Sequence, residues 1–104
     1  MAQVDEIYNA AHGLKESGDV EGAIAKLQEG LALEPDHVDT HAALAVYYQK
    51  LHKADEAITH AKKVAELKPD DHFSWMQLSI ILQRCNRIEE AELALAKAKE
   101  IPPH

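Results

Sequence analysis

Gly18-Asp19-Val20-Glu21-Gly22-Ala23 leads into a helical stretch that ends at Pro35, and the arrangement returns twice. His52-Lys53-Ala54-Asp55-Glu56-Ala57 leads to Pro69, and Asn86-Arg87-Ile88-Glu89-Glu90-Ala91 leads to Pro103. The alanines and the prolines therefore recur with one 34-residue period, and Leu33, Leu67 and Ile101 each stand two before their proline. A self-similar period of roughly 20–50 residues marks stacked supersecondary units whose shared core is built between neighbours.

Working outward, the chain reads as six helices with short links, over residues 4–17, 20–33, 37–51, 54–67, 71–85 and 88–101. Gly18 stops the first as a left-handed cap residue. His52 and Asn86 take the same turn position, and Asn accepts positive φ more readily than His. Each proline follows the last turn of a second helix, where it ends the helix without removing a needed hydrogen bond. Asp36 or Asp70 then offers an N-cap oxygen to the next helix.

Counting Val4, Val38 and His72 as first residues, the chain resembles the tetratricopeptide repeat family over residues 4–104. The family's large apolar fourth place holds Ile7, His41 and Trp75. Its Leu-small pair holds Ala10-Ala11, Leu44-Ala45 and Leu78-Ser79, and its aromatic eleventh place holds Leu14, Tyr48 and Leu82. Two departures, His41 at a packing place and Gly30 where Ala is usual, are expected to loosen their repeats. The resemblance implies an all-α solenoid of three helix–turn–helix repeats (4–37, 38–71 and 72–104), six antiparallel helices in a right-handed superhelix, forming one domain over 1–104. It also implies a non-catalytic interaction scaffold.

Three repeats are about the least that bury a continuous core. Gly13, Gly22 and Gly30 fall in the first repeat, and inside helices each costs about 1 kcal/mol relative to Ala. That repeat is expected to be the weakest. The net charge of −7 argues against nucleic acid, whose backbone requires a basic face. Charge is uneven: −6 over 4–37, −1 over 38–71 and zero over 72–104. The acidic first repeat reads as a solvated surface, with steering of a basic partner as the alternative. Cys85 is the only cysteine, so no internal disulfide forms, and a reducing, cytoplasmic setting is expected. Cys85 reads as a buried apolar thiol rather than a reactive one, since no cationic partner in space is established for it by the sequence. The acidic start at Met1-Ala2-Gln3-Val4-Asp5-Glu6 carries no signal peptide, and no run approaches the ~20 apolar residues of a membrane span.

The resemblance places ligand contacts on the first helix of each repeat. In this chain those places are Asp5, Tyr8, His12, Lys15 and Glu16; Asp39, Ala42, Val46, Gln49 and Lys50; and Phe73, Met76, Ile80, Gln83 and Arg84. The middle of this groove, with Tyr8, Ala42, Val46, Phe73, Met76 and Ile80, is apolar. One mouth carries Lys15, Gln49, Lys50, Gln83 and Arg84, and the other Asp5 and Asp39. Trp75, Leu78 and Leu82 already give the fifth helix a core stripe at i, i+3, i+7, while Phe73, Met76 and Ile80 form a second one. A contiguous apolar patch of this kind marks a binding surface, and packing within the domain is the alternative. One branch of the family clamps a peptide's C-terminal carboxylate with Lys, Asn and Arg. Its places hold Tyr8, His12, Ala43, Phe73 and Met76, none of which supplies those donors, so chaperone-tail binding is not expected.

No catalytic constellation stands out: there is no phosphate loop and no cysteine pair, and Glu89-Glu90 and Asp70-Asp71 sit at helix starts, where the dipole favours acids. His37 and His41, four apart, would make half of a metal site, with His72 approaching from the next repeat. A stable site needs three or four ligands, so neither metal nor cofactor is expected. The partner is a protein or peptide with apolar side chains, with neither nucleic acid nor membrane. The alternative is self-association, through the groove or through Leu93, Ala94, Leu95 and Ala98, which the stop at Pro102-Pro103-His104 leaves without a covering helix.

Overall fold

The computed structural model describes residues 2–103; Met1 and His104, the ends of two stretches read above, lie outside them. Six helices follow one another: α1 (Ala2–Glu16), α2 (Val20–Leu33), α3 (Val38–Lys50), α4 (Ala54–Leu67), α5 (His72–Arg84) and α6 (Ile88–Lys99). The expected boundaries hold to within two residues, and no strand occurs among the described residues. Helices pack as pairs, α1 on α2, α3 on α4 and α5 on α6, and the pairs join through α2–α3 and α4–α5. Because α3 also packs directly on α5, α1, α3 and α5 form one layer and α2, α4 and α6 the other. The architecture is an all-α solenoid.

The repeating alanines explain the close pairing. Ala23, Ala57 and Ala91 are 0%, 0% and 1% exposed, so the second helix of each pair rests its backbone against the first where only a methyl fits. Around them lie two clusters. One joins Ala11, Leu27, Leu44 and Tyr47, and the other joins Ala61, Leu78, Ile81 and Leu82. Replacing a fully buried leucine such as Leu44 by alanine costs about 2–5 kcal/mol.

The turns take the shape their register requires. Gly18 has φ 94°, and His52 and Asn86 have φ 61° and 62°. Left-handed backbone costs an L-residue about 1–2 kcal/mol, so His52 is the strained member of the three. The helix starts correct one expectation. Neither Asp36 nor Asp70 is an N-cap: α3 is entered through His37 without a side-chain cap bond, and α5 through Asp71, whose carboxylate accepts from Phe73 N at 3.2 Å. Both helices begin one residue later than expected, which releases Asp36 to pair with Lys63 at 3.6 Å. Asp19 caps α2, accepting from Gly22 N at 2.8 Å. A β-carbon at Gly22 would collide with that carboxylate, so this glycine serves the cap.

Candidate functional site

The first-layer helices hold the predicted residues on one face each. Tyr8, His12 and Lys15 are spaced i, i+4, i+7 on α1, as are Ala42, Val46 and Gln49 on α3, while Phe73, Met76 and Ile80 on α5 are spaced i, i+3, i+7. Phe73 is 58% and Ile80 41% exposed, and Met76 between them is half-buried. The neighbouring stripe of α5 is the core one, with Leu78 and Leu82 buried. The helix is thus apolar on two sides and covered on one, and packing within the chain does not hide Phe73 and Ile80.

On the other first-layer helices, Tyr8, Ala43 and Val46 are half-buried against the first core cluster. The Tyr8 hydroxyl is pushed above its ordinary value by burial, then by the Asp39 carboxylate and Tyr47. Tyr47 is pushed the same way by burial and Glu16. Both phenols therefore stay neutral donors at physiological pH. Gln77 Nε2 donates to the Ala42 carbonyl at 3.3 Å and ties α5 to α3 beneath this face. That contact has no signal in the repeat pattern and was not anticipated.

The polar mouths are partly spoken for. Lys15 and His12 both reach Glu16, at 3.4 and 3.7 Å, and Asp5 lies 3.7 Å from His37. Gln49 and Arg84 come together around a cleft of about 120 Å³ shared with His52 and Cys85. Lys50 and Gln83 are exposed. Burial pushes the Cys85 thiol upward, against a smaller lowering effect of Arg87. This raised value and the packing of Cys85 against the core fit a structural thiol.

His37, His41 and His72 do not converge. His37 Nδ1 lies 2.7 Å from Thr40 Oγ1, and His72 Nδ1 donates to the carbonyls of Ala98 and Ile101 at 2.8 and 3.0 Å. His72 is thus occupied by α6 and does not approach the other two. His41 Nε2 donates to the Pro35 carbonyl at 2.7 Å, and its Nδ1 is 2.9 Å from His60 Nδ1. Among the described residues no three His, Cys, Asp or Glu side chains are gathered to hold a metal ion. His41, expected to loosen its repeat, is instead 6% exposed with both ring nitrogens bonded. A buried polar ring so satisfied carries no desolvation penalty of the unpaired kind.

Of the four residues expected to lack cover on the final helix, Leu93 stays exposed and Leu95 is half-buried. Leu93 is 73% exposed, but Ala94 and Ala98 are 5% and 0% exposed, covered by their own pair of helices. Among the described residues, no helix is long and apolar enough to cross a membrane.

Comparison with known proteins agrees with this geometry. Two family models described as Tetratricopeptide repeat match residues 14–72 and 74–104. Protein STIP1 homolog from Dictyostelium discoideum is 28% identical over 98 residues, which cover 94% of this chain but only 17% of that protein. The crystal structure of MamA superposes with a TM-score of 0.84 at 22% identity, covering 93% of this chain and 57% of MamA. The second such repeat domain of Spaghetti (RPAP3), bound to the HSP90 peptide SRMEEVD, gives 0.83 at 18% identity, with 96% and 93% covered. This chain therefore spans about a sixth of its curated relative, and the structural likenesses concern the fold.

Proposed function

The chain belongs to the tetratricopeptide repeat family, and from that premise we propose that residues 1–104 act as one non-catalytic interaction unit with repeats 4–37, 38–71 and 72–104. Its first-layer face binds a peptide or helix through apolar side chains. The observation that carries this is the second apolar stripe of α5, where Phe73 and Ile80 stay 58% and 41% exposed. A large apolar side chain left in water beside a packed core is stabilised when a partner covers it, at about 25 cal/mol per Å² less the cost of ordering the ligand. Apolar anchors of the ligand meet Ala42, Val46, Phe73, Met76 and Ile80, and acidic ligand residues lie toward Lys15, Lys50 and Arg84.

The RPAP3 domain's peptide, SRMEEVD, is a sharp probe of ligand class. A carboxylate needs charged or amide donors, and here Tyr8, His12, Ala43, Phe73 and Met76 stand at the clamp places. Calorimetry with SRMEEVD should give no measurable heat. Peptides selected from a displayed library against the wild-type chain should carry apolar anchors and lose binding at least tenfold to Met76→Glu and to Ile80→Glu, with helical circular dichroism unchanged. Library peptides that bind both variants normally would remove the assignment of this face.

A second reading, self-association, rests on Phe73, exposed on one copy and suited to the same apolar face of another. Light scattering over a wide concentration range tests it. A constant monomer mass refutes it, and a dimer lost in Ile80→Glu supports it.

A further inference from the structure

Two clefts between neighbouring second-layer helices are built from equivalent positions of successive repeats, and they are filled differently. Between α2 and α4, the His60 ring lies on a floor supplied by α3. It stacks on Tyr48 with centroids 5.7 Å apart and planes 11° apart, and its Nδ1 is 2.9 Å from His41 Nδ1. Gln28 of α2 closes the cleft by donating to the Tyr48 hydroxyl at 3.0 Å. One repeat later, Ala94 stands in the place of His60, Leu82 in that of Tyr48 and Trp75 in that of His41.

Among the described residues, no side chain takes the place of the ring. A cleft of about 280 Å³ opens between α4 and α6, walled by Trp75, Leu78, Leu82, Leu93 and Ala94. A second, of about 320 Å³, continues along the indole toward Ala65 and Pro69. Its rim has changed with it: Thr59 of the second repeat corresponds to Leu93, which is 73% exposed. Of the charged residues along the two clefts, the lysines have acidic neighbours, while Glu66 forms no ion pair among the described residues. Lys62 meets Glu90 at 3.7 Å, and Lys97 lies 3.9 Å from Glu100 and 6.0 Å from the Trp75 ring centroid. The indole is held in place because Trp75 Nε1 donates to the Pro69 carbonyl at 2.9 Å.

We propose that this cleft is a second interaction surface, on the layer away from the α1/α3/α5 face, and that its occupant is an aromatic side chain presented by a partner protein. The second repeat shows what the geometry accepts, since its own imidazole ring lies there flat against the floor. An enclosed apolar cavity of about 150 Å³ holds a benzene ring; this cleft is larger but open on its solvent side, and the fixed indole offers a partner for offset or edge-on stacking. Two lysines, Lys62 and Lys97, and two glutamates, Glu66 and Glu90, line the clefts, so charge of neither sign prevails and a neutral ring is favoured. The anchor-in-pocket arrangement is the one that concentrates binding energy at protein interfaces.

The test is a titration of ¹⁵N-labelled protein with N-acetyl-phenylalaninamide, with N-acetyl-alaninamide as control. The aromatic amide alone should shift the Trp75 indole N–H and the Leu93 and Ala94 amides in a saturable way. Affinity should fall at least tenfold in Ala94→His/Leu82→Tyr, which installs the second repeat's ring set in the cleft, and also in Leu93→Glu, a change at an exposed position that leaves the core intact. Ile80→Glu, on the other layer, should leave it unchanged. The proposal is overturned by the absence of saturable shifts, by equal shifts with the alanine amide, by unchanged affinity in the folded cleft variants, or by loss of binding in Ile80→Glu. Shifts at Trp75 and Ala94 that follow protein concentration alone would make a second copy the occupant and overturn it equally.

Discussion

His41 shows how one residue can break a repeat pattern and still be tolerated. A polar ring at a packing place needs both nitrogens satisfied, and here Pro35 and His60 provide for them. An Nδ1 to Nδ1 bond requires one of the two atoms to be unprotonated. His60 is accordingly held below its ordinary value, by burial first and by His41 second. A folded histidine that holds its proton less tightly than the unfolded one contributes stability above the unfolded value of about 6.5, and that contribution is lost as pH falls through the folded value. The melting temperature should therefore drop as pH falls below the unfolded histidine value of about 6.5, and His60→Gln should shrink that drop. An unchanged pH dependence in the variant would show that the pair does not govern it. The pattern flagged His41 as anomalous. Its partner on the following helix was not legible, because no spacing rule joins α3 to that face of α4.

At the scale of the helix, periodicity carried nearly all the information. Prolines, turn residues and alanines placed six helices to within two residues, because each acts through its own backbone geometry. Caps were harder to place, since a shift of one residue exchanges Asp36 for His37 and Asp70 for Asp71. The glycines separate on the same grounds. A β-carbon at Gly30 would meet the Ile7 and Val4 methyls at 3.5 Å and Thr40 Oγ1 at 3.9 Å, all ordinary contacts, and one at Gly13 would meet nothing within 4 Å. Gly30→Ala and Gly13→Ala should each stabilise the chain by about 0.5–1 kcal/mol in urea unfolding, whereas Gly22→Ala should gain nothing because it displaces the Asp19 cap. His52→Gly, at φ 61°, should add up to about 1 kcal/mol by relieving left-handed strain. Hydrogen exchange should be fastest in α1 and α2, the glycine-bearing pair, and slower exchange there than in α5 and α6 would contradict that ranking.

Across the whole molecule, the two layers have different surfaces. The first-layer face exposes an apolar stripe on α5, and acidic charge gathers toward the first repeat. The second layer is laced by exposed ion pairs such as Lys62–Glu90 between α4 and α6 and Asp55–Arg87 between α4 and the residue that enters α6, each worth no more than about 1 kcal/mol. The solenoid was legible in the 34-residue period, whereas the face carrying Phe73, Met76 and Ile80 was placed only by the family resemblance, and the structure leaves Phe73 and Ile80 exposed on it. The Trp75 cleft was not legible, because it arises from comparing two repeats in three dimensions, where one ring is replaced by a methyl group. The most direct test of the central claim is an amide-shift footprint of the labelled protein with a library-selected peptide. Shifts confined to Val46, Phe73, Met76, Ile80 and their first-layer neighbours are the predicted result; a footprint on α2, α4 and α6 would contradict the account.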